Sequence, residues 1–463
     1  MSAGYDDESR IQPSESDAIL VAMMAARHAA TQFLREDRLD RSLSSVRKNR
    51  HGDDLDVDCA ALQKIIAYTS REAHTCVEKA AKICLIQLRV LPTDSEHRLR
   101  GDALRKGKAK KGCVTHDLLR DGFRQAMEQD EHNGLMPCFV CATLGTQTTC
   151  AFDNLHEIAM ECRRKTAVWL HVDATYAGNA LICPEMRHLA DGLDRANSIN
   201  VSADKWLPVN FDCACLWVRD YFQLVEAFST HPLQTQQERD NPVLDFRHWG
   251  LPRERRFRAL KLWFTFRTFG IAALQDRIRN HCSLAKLFEN LLRGDGRFRV
   301  MDSAKMGVVC FRLESLSFPT ECHQNHLTEL LLAYLNASGR MWVTPVEVDD
   351  LLAIRLCVGS SLTKEEDIEH TWHRVVDSVF RIEASMWTEK VPELHVSRAD
   401  REQQLSLLRY LNGTVTAPPM RYRRLQAAQL LRDPYGPFLV PDSDDRIADI
   451  FDLSDLARAY SRV

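Results

Sequence analysis

The sequence predicts an α/β fold with a mostly parallel sheet over the first 262 residues, followed by a smaller α+β domain. Short apolar or β-branched runs alternate with helical patterns up to about residue 262, and this order is typical of a parallel sheet with helices on both faces. Beyond that residue, a long helical stretch is followed by one strand-like run and a second helix, and then by two strand-like runs in succession. This change in the order of helices and strands indicates a separate α+β domain.

The strands predicted in the first part are short and apolar, and they cover residues 65–70, 136–144, 168–174, 198–201 and 214–218. Helical patterns lie among them, over residues 17–34, 154–165 and 184–191. The second part is predicted to contain helices over 274–292, 324–336 and 363–384, with strands over 307–313, 341–348 and 352–358. These elements predict a large domain whose sheet has helices on both faces, followed by a small α+β domain.

We divide the chain into four parts on this basis. Residues 1–13 form a short polar N-terminus, 14–262 the large domain, 263–390 the small domain and 391–463 a proline-containing tail of unassigned role. The basic run at 105–112 is typical of a solvated surface insertion rather than of a nucleic-acid site.

Composition and charge exclude several classes of protein. A formal net charge of -3 gives no basic excess, so no nucleic-acid partner is predicted. No run approaches the roughly 18 apolar residues of a membrane-spanning helix. Fifteen cysteines, an odd number, occur without an apolar N-terminal leader, and this favours reduced thiols in the cytoplasm. The single CxxC, at Cys138 and Cys141, lacks a second ligand pair, so we predict no metal site.

Two polar motifs follow predicted strands. Asp173 ends an apolar run, and Lys205 comes shortly after the next one. Side chains at the carboxyl ends of parallel strands face the crevice where α/β proteins bind ligands. A buried aspartate near a lysine is also compatible with a structural ion pair, and the motifs alone leave both interpretations open.

The start of the first helix carries a third motif. Ser14, Glu15, Ser16 and Asp17 precede an apolar helical pattern and fit a capping box. A helix start of this kind also offers free N–H groups to an anion. Capping is the more common role, and phosphate binding is the alternative.

Several strings in the right order resemble a known family. They are ATLGT at 142–146, HVDA at 171–174, YAG at 176–178, DKW at 204–206, VNFDC at 209–213, FRHW at 246–249 and RRFRALKLW at 255–263. Through these strings, residues 12–385 resemble the group II pyridoxal-phosphate (PLP) decarboxylases, which include the aromatic L-amino acid and histidine decarboxylases.

The resemblance implies a fold, a reaction and an assembly. The fold is that of the PLP-dependent transferases of fold type I, which resemble aspartate aminotransferase. The reaction is decarboxylation of an aromatic or imidazole L-amino acid to its amine by a cytoplasmic homodimer. Lys205 would form the Schiff base with PLP, Asp173 would pair with the pyridine nitrogen, and His74 would stack on the ring. The cofactor-binding positions implied are Ser14, Glu15, Ser16, His74, Gln147, Asp173, Thr175, Ser202, Asp204 and Lys205.

The sequence also departs from the family at the site. Asp204 stands where the family usually has histidine, and Ser202 stands where it has asparagine. Gln234 occupies the position of the tyrosine that delivers a proton to Cα, and an amide has no transferable proton near neutral pH. Glu254, at a position that sets substrate specificity, matches neither subfamily. A second interpretation is therefore a catalytically impaired pseudoenzyme or an aldehyde-forming relative that retains the fold.

The segment before Ser14 is short compared with the family's. Thirteen residues precede this serine, whereas family members carry a long N-terminal segment there. We therefore expect an N-terminally truncated and divergent member of the family.

Overall fold

The computed structural model describes residues 9–42, 59–101, 122–165, 168–229, 248–252, 256–314 and 321–387. Four features named above lie outside these ranges: the basic run at 105–112, Gln234, Glu254 and the tail at 391–463.

A seven-stranded sheet forms the first layer. From one edge to the other its strands are β1 (Ser9–Gln12), β7 (Ala214–Val218), β6 (Ser198–Ser202), β5 (Trp169–Asp173), β4 (Met136–Thr143), β2 (Ile65–Ser70) and β3 (Gln87–Leu91). The five strands from β6 to β3 run parallel, β7 is antiparallel to β6, and β1 is antiparallel to β7. The expected mostly parallel sheet is confirmed.

Helices cover both faces of this sheet. On one face lie α1 (Glu15–Ser42) and α2 (Cys76–Cys84), whose buried residues share an apolar cluster with Phe139 and Trp169 of the sheet. On the other face lie α3 (Phe123–His132) and α4 (Leu155–Cys162), packed against β4 and β5. Both faces of the central strands are therefore buried, which explains their continuous apolar runs.

The elements between β5 and the next layer are short. Three 3₁₀ segments, at Ala177–Ile182, Pro184–Ala190 and Leu193–Arg195, connect β5 to β6. After β6 come α5 (Ala203–Trp206), β7 and α6 (Phe222–Phe228). The helix predicted over 184–191 is thus a 3₁₀ segment.

A four-stranded antiparallel sheet follows. Its order is β10 (Thr344–Val348), β11 (Leu351–Cys357), β9 (Val308–Leu313) and β8 (Phe298–Lys305). Helices α7 (Ala259–Gly294), α8 (Glu321–Ala337) and α9 (Glu365–Trp387) contribute to the apolar cluster that packs against it. The predicted boundary at residue 262 falls within α7, which is interrupted at Gly270 (φ 70°), and the division into domains stays a prediction.

No disulfide joins the cysteines whose side chains the structure describes, and their reduced state in the cytoplasm stays a prediction. Thirteen in the described ranges are free, and a bulge at Cys138 places both CxxC thiols in the cluster under α1. No set of three metal-ligating side chains forms within those ranges. Among the helices described, none is long and apolar enough to cross a bilayer. The cytoplasmic location stays a prediction.

Candidate active site

The carboxyl ends of four parallel strands form one polar edge. β2, β4, β5 and β6 end in Ser70, Thr143, Asp173 and Ser202, all of which are buried. The hydroxyls of the three non-acidic residues are buried without a hydrogen-bond partner. Buried polar groups are normally paired, so this edge has the character of a ligand site.

Asp173 presents one carboxylate oxygen to the protein and the other to the site. Its Oδ1 accepts hydrogen bonds from the N–H of Thr175 (3.1 Å), the hydroxyl of Thr175 (2.5 Å) and Nδ2 of Asn200 (3.2 Å). Its Oδ2 accepts none from the described part of the chain. The buried carboxylate is therefore fixed on one side and open to an N–H donor on the other.

Lys205 follows β6 on the four-residue helix α5. The next residue, Trp206, anchors this helix because its ring is fully buried, stacks on Tyr176 (4.7 Å between centroids) and donates to Nδ1 of His281. The side chain of Lys205 remains 36% exposed, and its Nζ lies 3.3 Å from Oε1 of Glu15. The amine is thus accessible to a ligand but paired with a carboxylate.

The first turn of α1 confirms the capping box. The hydroxyl of Ser14 donates to Oδ2 of Asp17 (2.7 Å) and accepts from the N–H of Asp17 (3.2 Å). Ser14 is therefore engaged in the cap, whereas the half-buried Ser16 makes no hydrogen bond through its hydroxyl to the described residues. The role of this turn in binding phosphate stays a prediction.

His74 lies in the turn between β2 and α2. Its Nδ1 accepts the N–H of Cys76 (3.3 Å), which orients the half-buried ring. Burial raises the pKa of the Cys76 thiol, and the nearby carboxylates of Asp173 and Glu15 raise it further. The turn that carries His74 is therefore close to both acidic groups of the site.

Gln147 is exposed in the turn that follows β4. The neighbouring Thr148 donates to Glu72 (2.6 Å), which holds this turn against the one that carries His74. Gly145 allows this turn to pack closely against Ala177, because its φ is +86° and an added Cβ would lie 2.4 Å from Cβ of Ala177. Among the described residues, Gln147 makes no hydrogen bond to Lys205 or Asp173.

Asp204 is directed toward β7. Its Oδ1 accepts the N–H of Cys213 (3.3 Å), and burial raises the pKa of its carboxyl group. The residue therefore stabilises the link from α5 to β7. Of the predicted residues, the structure joins Lys205 to Glu15 and Thr175 to Asp173, while Gln147 and Asp204 bond to neither catalytic candidate.

Two features of the site were missed by sequence reasoning. The first is a chain of hydrogen bonds from Ser198 through His171 and Asn200 to Asp173. Polar residues at alternate positions of two buried strands were its signal. The second is Arg355 on β11, whose Nε is buried without a partner. Its signal was one arginine in a run otherwise apolar.

Arg355 lies near the turn that follows β4. Burial raises the pKa of Cys150 and of Tyr176, and the charge of Arg355 opposes both shifts. The guanidinium is thus positioned beside the same edge of the seven-stranded sheet, where it is available to an anionic group.

The family is decided by comparison with known sequences. Residues 3–314 match the pyridoxal-dependent decarboxylase conserved domain. The chain belongs to the pyridoxal-dependent decarboxylase family. Its membership agrees with the strings identified above, with Asp173 at the end of β5 and with Lys205 just after the neighbouring strand β6.

The curated relatives of this chain include aromatic-L-amino-acid decarboxylases and histidine decarboxylases. Aromatic-L-amino-acid decarboxylase of Manduca sexta is 38% identical over 81% of this chain and 65% of its own length. The enzyme of Drosophila lebanonensis is 38% identical over 79% and 80%. Histidine decarboxylase of Mus musculus is 36% identical over 80% and 49%. The chain thus spans less than two thirds of the Manduca and mouse proteins.

Solved structures confirm the fold. Oryza sativa TDC with PLP and tryptamine superposes with a TM-score of 0.68 at 32% identity, covering 81% of this chain and 70% of that one. Rhodiola rosea 4-hydroxyphenylacetaldehyde synthase gives 0.67 at 29% identity, covering 82% and 72%. The predicted α/β architecture of PLP-dependent decarboxylases is correct.

The site's donor set fits the family's cofactor. The exposed amine of Lys205 is suited to an aldehyde, and the open Oδ2 of Asp173 is suited to a protonated ring nitrogen. The unpaired hydroxyls of Ser202 and Thr143 are suited to further polar atoms. Glu15 is the one unfavourable charge, because it adds a carboxylate at the helix start where phosphate would bind.

Proposed function

We propose that this chain is a PLP-dependent decarboxylase that converts an aromatic or imidazole L-amino acid to its amine. The observation that carries the proposal is the placement of an accessible Lys205 amine just after β6 and of a buried Asp173, whose Oδ2 is open, at the end of the neighbouring strand β5. Similarity to aromatic amino acid and histidine decarboxylases at 36–38% identity supports the substrate class.

Each residue has a chemical task in this proposal. When bound, PLP supplies an aldehyde for amines and a ring that accepts the electrons left by departing carbon dioxide. The amine of Lys205 would hold the cofactor through this aldehyde. Asp173 keeps the ring nitrogen protonated. His74 covers the ring, and Arg355 provides a positive charge for a carboxylate.

Cofactor loading tests the first step. Purified protein with added PLP should develop an absorbance band near the visible edge, and borohydride reduction should fix the label on Lys205. Lys205→Ala should abolish the band, while the exposed Lys82→Ala serves as the matched control. A band that persists in Lys205→Ala, or none in the wild type, would refute the proposal.

Product analysis tests the second step. Dopa, tyrosine, tryptophan and histidine should be supplied to the loaded protein, and carbon dioxide and amine should form in equal amounts from at least one of them. No amine from any of the four would contradict the assigned reaction.

A second candidate function is oxidative conversion to an aldehyde. It is favoured by Gln234 at the proton-donor position and by the structural similarity to the Rhodiola rosea synthase. This reaction consumes dioxygen and water and releases carbon dioxide, ammonia and hydrogen peroxide beside the aldehyde. Peroxide equimolar with carbon dioxide would support it, and Gln234→Tyr should then shift the products toward the amine.

We also propose that two copies of the chain associate through the first half of α7. Aromatic and aliphatic side chains are exposed there and just before the helix, namely Phe257, Leu260, Trp263, Phe264, Phe266, Phe269 and Ile271. Such a concentration of exposed apolar surface is typical of an interface.

Light scattering should give a dimer mass for the wild type and a monomer mass for Trp263→Glu. Leu362→Glu, at an 81% exposed leucine elsewhere, is the control.

A further inference from the structure

We propose that Asn200, oriented by His171, is a positioning residue that reserves Oδ2 of Asp173 for an N–H donor in the site. The inference rests on the proposed function, because the donor it serves is the protonated ring nitrogen of PLP. It adds a buried line of side chains to the site, and none of its members touches the cofactor directly except Asp173.

The line runs along one face of two paired strands. On β5, Trp169, His171 and Asp173 occupy alternate positions, and the ladder pairs His171 with Ser198 and Asp173 with Asn200. All five side chains are buried. The alternation of the strands therefore places every member on the same face, under α1.

The direction of each hydrogen bond is fixed by chemistry, beginning at the carboxylate. Asp173 can only accept, so Nδ2 of Asn200 faces its Oδ1 (3.2 Å) and the hydroxyl oxygen of Thr175 (2.8 Å). This leaves Oδ1 of Asn200 to accept from Nε2 of His171 (2.8 Å). His171 therefore carries its proton on Nε2.

The contacts of His171 with Ser198, and of Ser198 with Trp169, agree with a proton on Nε2 of His171. Burial lowers the pKa of His171 to about 4, so the ring is neutral and its Nδ1 accepts a hydrogen bond. The hydroxyl of Ser198 donates to that atom (2.7 Å) and accepts from Nε1 of Trp169 (2.8 Å). Each N–H and O–H hydrogen in the line from Trp169 to Asp173 thus has an acceptor.

The consequence concerns the two carboxylate oxygens. Three hydrogen bonds, two from Thr175 and one from Asn200, converge on Oδ1 and hold the carboxylate plane. If Asn200 rotated by half a turn, its carbonyl oxygen would face the carboxylate and repel it. His171 prevents this rotation, because its N–H requires an acceptor at that place.

The test compares PLP with its deaza analogue, in which CH replaces the ring nitrogen. Asn200→Leu should weaken PLP binding by about tenfold, since a hydrogen bond to a charged group is lost, and leave the deaza analogue within about twofold. Equal losses for both ligands would mean a merely structural role, and no loss for PLP would also overturn the inference.

A measurement without cofactor separates this inference from the proposed function. In the unliganded protein, nitrogen-15 NMR should show His171 as the neutral Nε2–H tautomer, and Ser198→Ala should perturb the Nδ1 signal. A wild type that fails to bind PLP would refute the proposed function and leave this tautomer testable. An Nδ1–H tautomer would refute the hydrogen-bond line itself.

Discussion

Nζ of Lys205 lies 3.3 Å from Oε1 of Glu15, so the proposed cofactor-binding amine is paired with the first residue of α1. The two residues are distant in the chain, and β1, β7 and β6 bring them together. Glu15 is 16% exposed and Lys205 is 36% exposed, so solvent screens the pair only partly. In the proposed function, an aldehyde that takes up the Lys205 amine would compete with Glu15 for it.

Glu15→Gln is therefore expected to tighten PLP binding. A partly exposed pair of this kind is worth about 0.5–1 kcal/mol, which corresponds to roughly two- to fivefold in affinity. Absorbance titration of the unliganded protein measures the change, with Glu36→Gln on the same helix as control. Weaker binding of PLP to the variant would show that Glu15 contributes to the site rather than competing with the ligand.

Substitutions of Ser14 and Ser16 are expected to have different effects, because Ser14 caps α1 and Ser16 is free to bind phosphate. Ser14→Ala removes the reciprocal bond with Asp17 and should reduce the free energy of unfolding by about 1 kcal/mol. Ser16→Ala should leave this free energy unchanged and weaken PLP more than pyridoxal, which lacks the phosphate. Urea unfolding and the two ligand affinities test both statements. A Ser16→Ala variant that binds PLP as the wild type does would remove this serine from the site.

His171 is expected to make the stability depend on pH. Burial lowers its pKa to about 4 in the folded chain, compared with an ordinary value of about 6.5. Between these values only the unfolded chain takes up the proton. The contribution of up to about 3 kcal/mol is thus complete above pH 6.5 and is lost as pH falls toward 4.

Replacing His171 by Gln should remove this part of the slope. Glutamine keeps a donor and an acceptor but does not titrate in this range. Urea unfolding at several pH values from 5 to 7 measures the difference from the wild type, and His188→Gln at an exposed position is the control. Parallel curves for wild type and His171→Gln would contradict the expectation.

Gly145→Ala is expected to damage the turn beside the site. The position has φ +86°, and the new Cβ would lie 2.4 Å from Cβ of Ala177. Gly134→Ala is the matched control, because Gly134 has φ +80° and no atom within 4 Å of the added Cβ. The control should lose about 1 kcal/mol from backbone strain alone, and Gly145→Ala should lose clearly more. An equal decrease in the free energy of unfolding for the two variants would mean that the turn shifts to accommodate the new Cβ and that the contact with Ala177 is not destabilising.

Much of the fold was predictable because it depends on local pattern. Strands β2, β4, β5, β6 and β7 were predicted nearly at their observed bounds, since each is a short apolar run between polar turns. Strands β1, β3 and β8 were missed. Their sequences mix polar and apolar residues without a clear strand pattern, and each pairs with a neighbouring strand that supplies its hydrogen-bond partners.

The site was predictable in part for a similar reason. Asp173 and Lys205 follow apolar strands, and parallel strands bring their carboxyl ends to one edge. The partner of Lys205 and the line behind Asp173 were not predictable, because each depends on which strands are neighbours and in what register they pair.

The sequence by itself thus determined the family, the strands and the two residues at their ends, because periodicity and motifs are properties of neighbouring residues. The tertiary structure alone decided that Glu15 meets Lys205 and that Asn200 turns its amide toward Asp173. Such contacts depend on distances of a few ångströms between distant segments, which only the packed sheet and its covering helix fix.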